Sequence, residues 1–398
     1  MCKSKPPAHG CLSGLSAIGI RSRPRSYPLS RDLLHGQRRA ASEMRHENAV
    51  QSPGSRVIFS GIQPTGIPHL GNYVGALRHW VQLQQQEPDS AKLMYSIVDL
   101  HAITTPQNPA QLRLQKRQSL AALLAIGLDP GRSVLFYQSS VPAHSELMWI
   151  LACTSSVGYL SRMTQWKQKL NIVAPGRPEA EQTVGNRLKL GLLSYPVLQA
   201  ADVLVHRATH VPVGHDQRQH LEFARECATN FNHAYGAHLV RPHTIAASPA
   251  HRIMSLSDPT SKMSKSHELG RSRILITDTP EDIRTKISMA LTDSIPGISF
   301  DPAARPGVSN LLNILSAFDP EKRNPEQLAQ VYGAADTRSF KDTVSNAVIA
   351  GLQGITGRYN ELMGAESLYL DHVAAEGARR ARQSADETMC IVRAATGL

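Results

Sequence analysis

The first half of the chain alternates short apolar runs with segments of helical spacing. The apolar runs that predict strands are 57–60 (VIFS), 93–100 (LMYSIVDL) and 133–138 (SVLFYQ). Between them, apolar residues recur at helical spacing through 73–85, and a longer amphipathic helix covers 108–128, with Asn108 as a suitable N-cap. This alternation predicts an α/β fold with a doubly wound parallel sheet.

The pattern changes after residue 143. The later segments are a helical middle (143–170), a polar loop with Gly and Pro (171–187), an apolar helix-like run (192–205), a strand or loop followed by a helix (209–231), and a Lys/Ser-rich loop (258–270). Beyond 278, segments of helical pattern separated by prolines dominate, and the last of these, 365–394, reads as a separate helical module. We therefore predict an α/β domain (55–257) with a helical insertion (143–190), the loop 258–270, and a helical C-terminal domain (271–398).

Composition narrows the class of protein. Apolar residues make up 41% of the chain, which is ordinary for a globular protein, and no uninterrupted apolar run is long enough to predict a membrane span. The five cysteines are scattered, with no CxxC pair and no Cys/His cluster at zinc spacing. We expect them to be small buried hydrophobic residues in a reducing compartment.

Residues 1–54 form a basic leader. They hold nine basic and three acidic residues, a net charge of +6 out of +11 for the whole chain. The stretch 21–39 is rich in Arg and Ser and lacks the apolar core of a secretory signal, which is typical of a transit peptide. We predict a cleavable mitochondrial transit peptide. A disordered basic tail that touches RNA is the alternative, and composition alone does not separate mitochondrion from plastid.

Two separated motifs indicate the chemistry. Residues 68–72 read PHLGN in the loop after the first strand, and residues 262–266 read KMSKS much later in the chain. Either motif alone is weak evidence, because Gly-rich turns after strands and charged loops are both common. Together, and in this order, they resemble the two signatures of the class I aminoacyl-tRNA synthetases.

The resemblance continues along the chain, densely over 57–320 and more loosely in the tail. The segments that carry it include GIQPTG (61–66), VDLHAIT (98–104), QSSVPAH (138–144), RMTQWK (162–167), YPVLQAAD (195–202), RIMSL (252–256) and GVSNLL (307–312). They are most similar to the tryptophanyl branch of bacterial or organellar type. This resemblance implies a Rossmann-like catalytic domain, ATP accompanied by Mg²⁺, tryptophan and tRNA(Trp) as substrates, an anticodon-binding C-terminal domain, and a homodimer.

The two motifs suit amino acid activation. A carboxylate must attack the α-phosphate of ATP, so the enzyme has to align two anions and neutralise charge. His69 and Asn72 can donate hydrogen bonds to phosphate, and Lys262 and Lys265 supply positive charge for the triphosphate and pyrophosphate. Gly71 lets the backbone approach the nucleotide, and the helix that begins there points its positive end at phosphate. The other ATP-binding residues that the resemblance implies are Gln63, Pro64, Thr65, Gly214, His215, Asp216, Ile253, Met263, Ser264 and Ser266.

Selection of an indole requires a buried acceptor for its N–H inside an apolar cage. Asp202 corresponds by resemblance to the residue that reads the indole in the family, and the alternative is a carboxylate that only caps or pairs locally. The remaining residues that the resemblance implies for the tryptophan site are Phe59, His101, Tyr195, Gln199, Val211, Val213 and Gln217. For Phe59 and the two valines, ordinary strand packing is the alternative.

Three features depart from the family pattern. Gln199 stands where bacterial members usually carry Met, and can add a polar group that orients Asp202. His215 stands where Glu is usual and removes a negative charge beside the ATP site. The loop 171–187 is longer than in the family.

Three other functions compete with this interpretation. A tyrosine-specific relative should show a Tyr/Asp pair around the ring hydroxyl. A catalytically silent paralogue that only binds RNA should have eroded ATP motifs, and here both are intact. A small-molecule nucleotidyltransferase of similar fold has no need of the helical tail.

Overall fold

The computed structural model describes residues 56–163, 166, 188–214, 217–246, 252–265, 269–364 and 368–398. The leader 1–54, the loop 171–187 and the site residues His215, Asp216 and Ser266 lie outside these residues.

Five parallel strands form the sheet in the order β3-β2-β1-β4-β5. Their bounds are β1 (Val57–Ile62), β2 (Lys92–Ile97), β3 (Ser133–Tyr137), β4 (His210–Val213) and β5 (His243–Ala246). The order reverses between β1 and β4, which is the arrangement of a Rossmann-like doubly wound sheet. The predicted α/β class and the first three strands are confirmed. Strand β2 ends earlier than predicted because a short helix begins at Asp99.

Helices connect the strands and cover the sheet. The helix after β1 consists of α1 (Leu70–Asn72), a π-helical turn (Tyr73–Leu77) and α2 (Arg78–Gln86). The next helices are α3 (Asp99–Ala102), α4 (Pro109–Ala125), α5 (Ala143–Ala152), α6 (Val157–Arg162), α7 (Leu190–Leu204) and α8 (Arg218–Tyr235). The predicted cap of α4 is confirmed, since Asn108 accepts hydrogen bonds from the backbone N–H groups of Ala110 and Gln111.

Helices alone follow β5 in the described part of the chain. They are α9 (Pro280–Ser288), α10 (Pro306–Phe318), α11 (Pro325–Tyr332), α12 (Thr337–Gly351), α13 (Ile355–Gly364) and α14 (Leu368–Thr396). Proline lies in the first turn of α9, α10 and α11, where its missing N–H has no helical partner to lose. None of the described helices is long and apolar enough to span a membrane.

The two faces of the sheet contribute to two apolar cores. Ile58, Leu93 and Leu135 point into one core, whereas Phe59 and Met94 point into the other. Successive side chains of a strand point to opposite faces, and both faces are covered here. The strands therefore appear in the sequence as continuous apolar runs.

The last helix packs directly on the sheet. Gly377 on α14 lies so close to β3 that a Cβ atom there would sit 1.7 Å from the carbonyl oxygen of Leu135. Farther along α14, Ala381, Ala385 and Met389 join the same core as Phe59. Helix α14 is thus part of the packing of the sheet, whereas the sequence predicted a separate helical module over 365–394. The boundary of the helical C-terminal domain at 271 stays a prediction.

The arginines of α14 make contacts within the chain. Arg393 forms a bidentate pair with Glu146 of α5, with both N···O distances at 2.6 Å. Arg380 donates to the carbonyl of Pro130 at 2.9 Å and Arg382 to that of Ser140 at 2.8 Å. Through these contacts α14 binds to α5 and to the segments before and after β3.

Two of the three described cysteines differ from expectation. Cys227 is buried as predicted, but Cys153 and Cys390 are exposed. Cys153 lies at the C-terminal end of α5, and Cys390 lies on the solvent-facing side of α14. The expectation of burial is therefore wrong for these two.

Candidate active site

The loop after β1 lies at the carboxyl end of the sheet, where the strand order reverses. In open α/β sheets this crevice is where ligands bind, because the connections on its two sides diverge. The loop carries the predicted residues Gln63, Pro64 and Thr65 and ends at the start of α1. Gln63 and Thr65 are exposed, whereas Pro64 is buried.

His69 caps helix α1. Its Nδ1 accepts from the N–H of Asn72 and its own N–H donates to the Asn72 side-chain oxygen, each at 3.2 Å. This reciprocal pair is a capping box. Burial, followed by the charges of Lys265, Lys262 and Arg273, lowers the pKa of His69 to about 4. The imidazole is therefore neutral at physiological pH, and because Nδ1 is an acceptor, Nε2 carries the proton.

Gly71 keeps this part of the site narrow. A Cβ atom at this position would lie 3.1 Å from the His69 ring and 3.8 Å from Ile253 Cβ. A side chain there would crowd the His69 ring, while its contact with Ile253 of the RIMSL segment would be an ordinary van der Waals contact.

The second motif belongs to a short hairpin with the RIMSL segment. Met254 and Lys262 form an antiparallel bridge, and the N–H of Met263 donates to the carbonyl of Ile253 at 3.3 Å. The side chains of Ile253 and Met263 are buried in the core. Met263 therefore holds the hairpin in position, while Lys262 is exposed.

Asn310 holds this hairpin in position, although it was not among the site residues predicted from the sequence. Its Oδ1 accepts from the N–H of Met254 at 2.9 Å, and its amide donates to the Met254 carbonyl at 3.0 Å. Asn310 is buried on α10 and lies in the GVSNLL segment. The sequence feature that could have indicated this role is an Asn within an apolar run of helical pattern.

The first motif contacts the segment 274–275 through its backbone, and the second motif contacts the loop before the first motif through the side chain of Lys265. The N–H of Leu70 donates to the carbonyl of Ile274 at 2.8 Å, and His69 bridges Leu275. The ammonium of Lys265 donates to both the carbonyl and the hydroxyl of Thr65 at 3.0 Å, and to the Gly66 carbonyl. Burial, then the charge of Arg273, lowers the pKa of Lys265 to about 8.

Asp202 is buried at the centre of a hydrogen-bond cluster. Its Oδ2 lies 2.7 Å from His101 Nε2, and its Oδ1 accepts from Gln138 at 2.6 Å and from His144 Nδ1 at 2.7 Å. Burial opposes ionisation, but the hydrogen bonds from His101 and His144 outweigh it and hold the pKa of Asp202 below its usual range. Asp202 is thus a carboxylate.

This cluster leaves one acceptor position on Asp202. A carboxylate offers about four lone-pair sites, and the described residues use two on Oδ1 and one on Oδ2. An added N–H donor can therefore bond to Oδ2. The recorded contacts of Asp202 all lie within the chain, so its role as indole reader and the alternative of a locally paired carboxylate both stay predictions.

The other predicted tryptophan-site residues surround this region. Phe59 and Val211 are buried on adjacent strands, and Val213 is half-buried at the end of β4. The Tyr195 ring meets the His101 ring edge-on, with centroids 6.2 Å apart. Burial raises the pKa of Tyr195 to about 12, so its hydroxyl stays protonated beside His220 Nε2, 2.8 Å away.

Gln199 does not hold Asp202. Its amide donates to the side-chain oxygen of Gln217 at 3.1 Å. The groups that orient Asp202 are instead His101, Gln138 and His144, the last two from the QSSVPAH segment. The sequence identified this segment as a motif, but it did not predict a role for Gln138 or His144.

A metal centre is not evident in the described residues, which contain no group of three His, Cys, Asp or Glu side chains able to hold an ion. Mg²⁺ bound to a nucleotide needs few protein ligands, because phosphate oxygens and water complete its octahedron.

Comparison with known proteins agrees with this geometry. A family model described as tRNA synthetases class I (W and Y) matches residues 53–353. The mitochondrial tryptophan–tRNA ligase of Schizosaccharomyces pombe is 45% identical over 351 residues, covering 87% of this chain and 96% of that protein. That of Saccharomyces cerevisiae is 40% identical, covering 89% and 93%.

A solved structure of Campylobacter jejuni tryptophanyl-tRNA synthetase, complexed with ADP and tryptophan, superposes with a TM-score of 0.69 at 31% identity and covers 86% of this chain and all of that one. The family model matches more than half of the chain, and the S. pombe relative is 45% identical over most of its length. This chain belongs to the class I tRNA synthetases of the tryptophan and tyrosine group.

Proposed function

We propose that this chain is an aminoacyl-tRNA ligase that charges tRNA(Trp) with tryptophan in mitochondria. The choice of tryptophan as the amino acid rests on one observation. Asp202 is buried and ionised, and one acceptor position is left on its Oδ2. An indole N–H fits that position. A ligand without N–H would leave the carboxylate short of a donor, which is the kind of penalty that rejects analogues without editing.

In the first step, a carboxylate oxygen of tryptophan attacks the α-phosphorus of ATP, and the bond to pyrophosphate breaks. His69 donates from Nε2 to a phosphate oxygen, since its Nδ1 already accepts from Asn72. Asn72 holds His69 in this orientation. Lys262 and Lys265 neutralise the triphosphate and the departing pyrophosphate.

In the second step, a hydroxyl of the terminal adenosine of the tRNA attacks the acyl carbon, and AMP leaves. The remaining ATP-site residues that we propose are those of the β1 loop, of 214–216, of Ile253 and of 262–266. Mg²⁺ bound together with ATP would help Lys262 and Lys265 to neutralise the triphosphate.

ATP–pyrophosphate exchange tests the amino acid. We expect exchange with tryptophan and none above background with tyrosine. Exchange with tyrosine alone would assign the chain to the tyrosine-specific relatives. Absence of exchange with all amino acids, in a protein that still binds tRNA, would favour the silent paralogue.

We assign different roles to two regions of the chain. The loop 258–270 binds ATP, and the helical region 271–398 binds the anticodon. A charging assay with leaderless protein and separate mitochondrial and cytosolic tRNA pools tests the second half of the reaction. Tryptophan should be attached to the mitochondrial pool. A nucleotidyl compound released as the final product, with no amino acid attached to either tRNA pool, would instead indicate a small-molecule nucleotidyltransferase.

We also propose a homodimer. Three helices that pack near one another each expose a large apolar side chain, namely Trp149 on α5 (71% exposed), Val157 on α6 (67%) and Leu190 on α7 (78%). Trp149→Glu should shift the mass measured by light scattering from a dimer to a monomer, and a monomeric wild type would contradict the proposal.

The leader 1–54 is proposed to direct import into the mitochondrial matrix. Its composition supports a transit peptide, and the names of the two yeast relatives favour mitochondria over plastids. Residues 1–54 fused to a reporter protein should carry it into isolated mitochondria and be cleaved there. A reporter that stays outside, or enters only chloroplasts, would overturn this assignment.

A further inference from the structure

A chain of buried hydrogen bonds leads from Asp202 to the C-terminal helix. His144 Nδ1 lies 2.7 Å from Asp202 Oδ1, and His144 Nε2 lies 3.3 Å from His206 Nε2. On its other side, His206 Nδ1 lies 3.4 Å from the hydroxyl oxygen of Ser384 on α14. His144, His206 and Asp202 are each at most 2% exposed.

The chemistry of these groups fixes the direction of the chain. Asp202 is ionised and can only accept, so His144 Nδ1 must donate to it. In a neutral His144, Nε2 is then an acceptor, and His206 must donate to it from its own Nε2. That leaves His206 Nδ1 to accept from the Ser384 hydroxyl. Each donor therefore meets one acceptor, and only one tautomer of each imidazole satisfies the chain.

Packing holds His206 in this orientation. Its ring stacks on Phe59 with centroids 5.7 Å apart and meets Phe136 edge-on at 5.6 Å. Burial lowers the pKa of His206 well below its usual value. The ring is thus neutral, as a one-donor, one-acceptor role requires.

We propose that His206 is a positioning residue for indole selection: it fixes the tautomer of His144 and thereby the orientation of the Asp202 carboxylate. This inference rests on the proposed role of Asp202 as the acceptor of the indole N–H. His206 itself is buried and satisfied, so it acts through His144.

Loss of the His206 donor should release His144 from this orientation. In His206→Phe the buried Nε2 of His144 has neither a donor nor an acceptor opposite it, so the ring loses the second hydrogen bond that holds it. An acceptor left unsatisfied in a buried site is costly, so the ring should turn toward another donor and carry its Nδ1–H away from Asp202 Oδ1. The carboxylate would turn with it, and Oδ2 would no longer be presented to the indole.

The test compares tryptophan with 3-(benzothiophen-3-yl)alanine, in which sulfur replaces the indole N–H. The measured quantity is the ratio of kcat/KM for the two substrates in ATP–pyrophosphate exchange. His206→Phe keeps the ring stacking but removes both hydrogen bonds. We expect it to reduce the ratio about tenfold or more through a raised KM for tryptophan, with KM for ATP little changed.

Rescue separates positioning from mere packing. In His206→Gln the amide nitrogen can take the position of Nε2 and donate to His144, so the ratio should return to within about threefold of wild type. A loss of packing alone would lower activity with both substrates and leave the ratio unchanged. His206→Gln also keeps the test valid if His206→Phe does not fold.

Helix α14 offers a matched pair of variants. Ser384→Ala removes the outer donor, whereas Thr388→Val, one turn along, removes a buried hydroxyl that has no hydrogen-bond partner in the structure. Ser384→Ala should lower the ratio and Thr388→Val should not. Equal effects would contradict a role for the hydrogen-bond chain.

The two proposals fail in different ways. A wild-type enzyme that uses both substrates equally would refute Asp202 as the reader of the N–H, whatever His206 does. A wild type that discriminates, together with His206→Phe and Ser384→Ala variants that discriminate equally well, would refute the positioning role alone.

Discussion

The ammonium nitrogen of Lys265 lies 3.0 Å from the hydroxyl oxygen of Thr65, although 200 residues separate the two in the chain. The same nitrogen also bonds the carbonyls of Thr65 and Gly66. In this arrangement the lysine is held by neutral protein oxygens beside the first motif. A triphosphate in the proposed ATP site would offer stronger, anionic acceptors to the same ammonium.

The lowered pKa of Lys265, about 8, predicts a loss of ATP use in mild alkali. Above that pH the free enzyme loses the charge that attracts phosphate, so kcat/KM for ATP should fall about tenfold between pH 7.5 and 9. The measurement is ATP–pyrophosphate exchange at limiting ATP. Lys265→Arg should remove this decline, because a guanidinium stays charged. An identical alkaline decline in the variant would assign the titration to another group.

Replacing Lys265 with Ala removes the charge at every pH. Adenylate formation should then be lost while binding of tRNA, measured by filter retention, is largely kept. Activity that survives in Lys265→Ala would contradict the role of the loop.

Asp202→Asn should impair use of tryptophan by about 2 kcal/mol or more, equivalent to about a 30-fold loss in kcat/KM. The cause is that the Asn amide would direct its own donors at His101, Gln138 or His144, which already donate. Most of the loss should appear in KM for tryptophan.

Asp319→Asn is the matched control for Asp202→Asn. Asp319 is also a largely buried carboxylate, bound to Arg323, but it lies at the end of α10 away from the cluster. It should lower stability to urea without changing KM for tryptophan. Equal kinetic effects of the two variants would mean that Asp202 acts only through stability.

Gly377→Ala tests the close packing of α14 on the sheet. The added methyl would meet the carbonyl of Leu135, which is backbone and cannot turn away. We expect a loss of about 3 kcal/mol in the free energy of unfolding, measured by urea denaturation. Gly357→Ala, at an exposed helical position with open space around it, should instead stabilise by about 0.5 kcal/mol.

His69 should make the protein less stable in mild acid. The unfolded chain binds a proton at this residue near pH 6.5, whereas the folded protein binds it only near pH 4. Between these values the unfolded state holds more protons, so stability falls as pH falls. The contribution amounts to about 2 kcal/mol between pH 8 and 5.

The variant His69→Asn isolates this effect. Asn keeps a side-chain acceptor at the N-cap but does not titrate. Its unfolding free energy should fall about 2 kcal/mol less than that of wild type between pH 8 and 5. Parallel pH curves for the two proteins would show that His69 does not carry this dependence.

The sequence predicted most of the sheet because strands buried on both faces leave continuous apolar runs. Residues 57–60 and 133–138 are such runs, and each became a strand. Strand β5 was missed, since His243–Ala246 offers four residues with no alternation and few apolar side chains. A pairing that depends on β4 cannot be read from so short a segment.

The site was predictable where chemistry and spacing coincide. His69, Lys262 and Asp202 were selected from motifs, whereas His206 was not. A buried histidine in a helix-end segment resembles any polar residue near a turn, and its partners His144 and Ser384 are remote in sequence. The docking of α14 was missed for the same reason, because Gly377 reveals a close approach only when Leu135 is beside it.

The hairpin of the second motif gives its two lysines different freedom. Lys262 forms a backbone bridge with Met254, and Asn310 and the buried Met263 hold this hairpin in position. Lys265 lies beyond the bridge and is held through its ammonium group. One lysine is therefore a stationary counter-charge built into the protein, and the other is an exchangeable one that can trade protein oxygens for phosphate oxygens while the hairpin stays where it is.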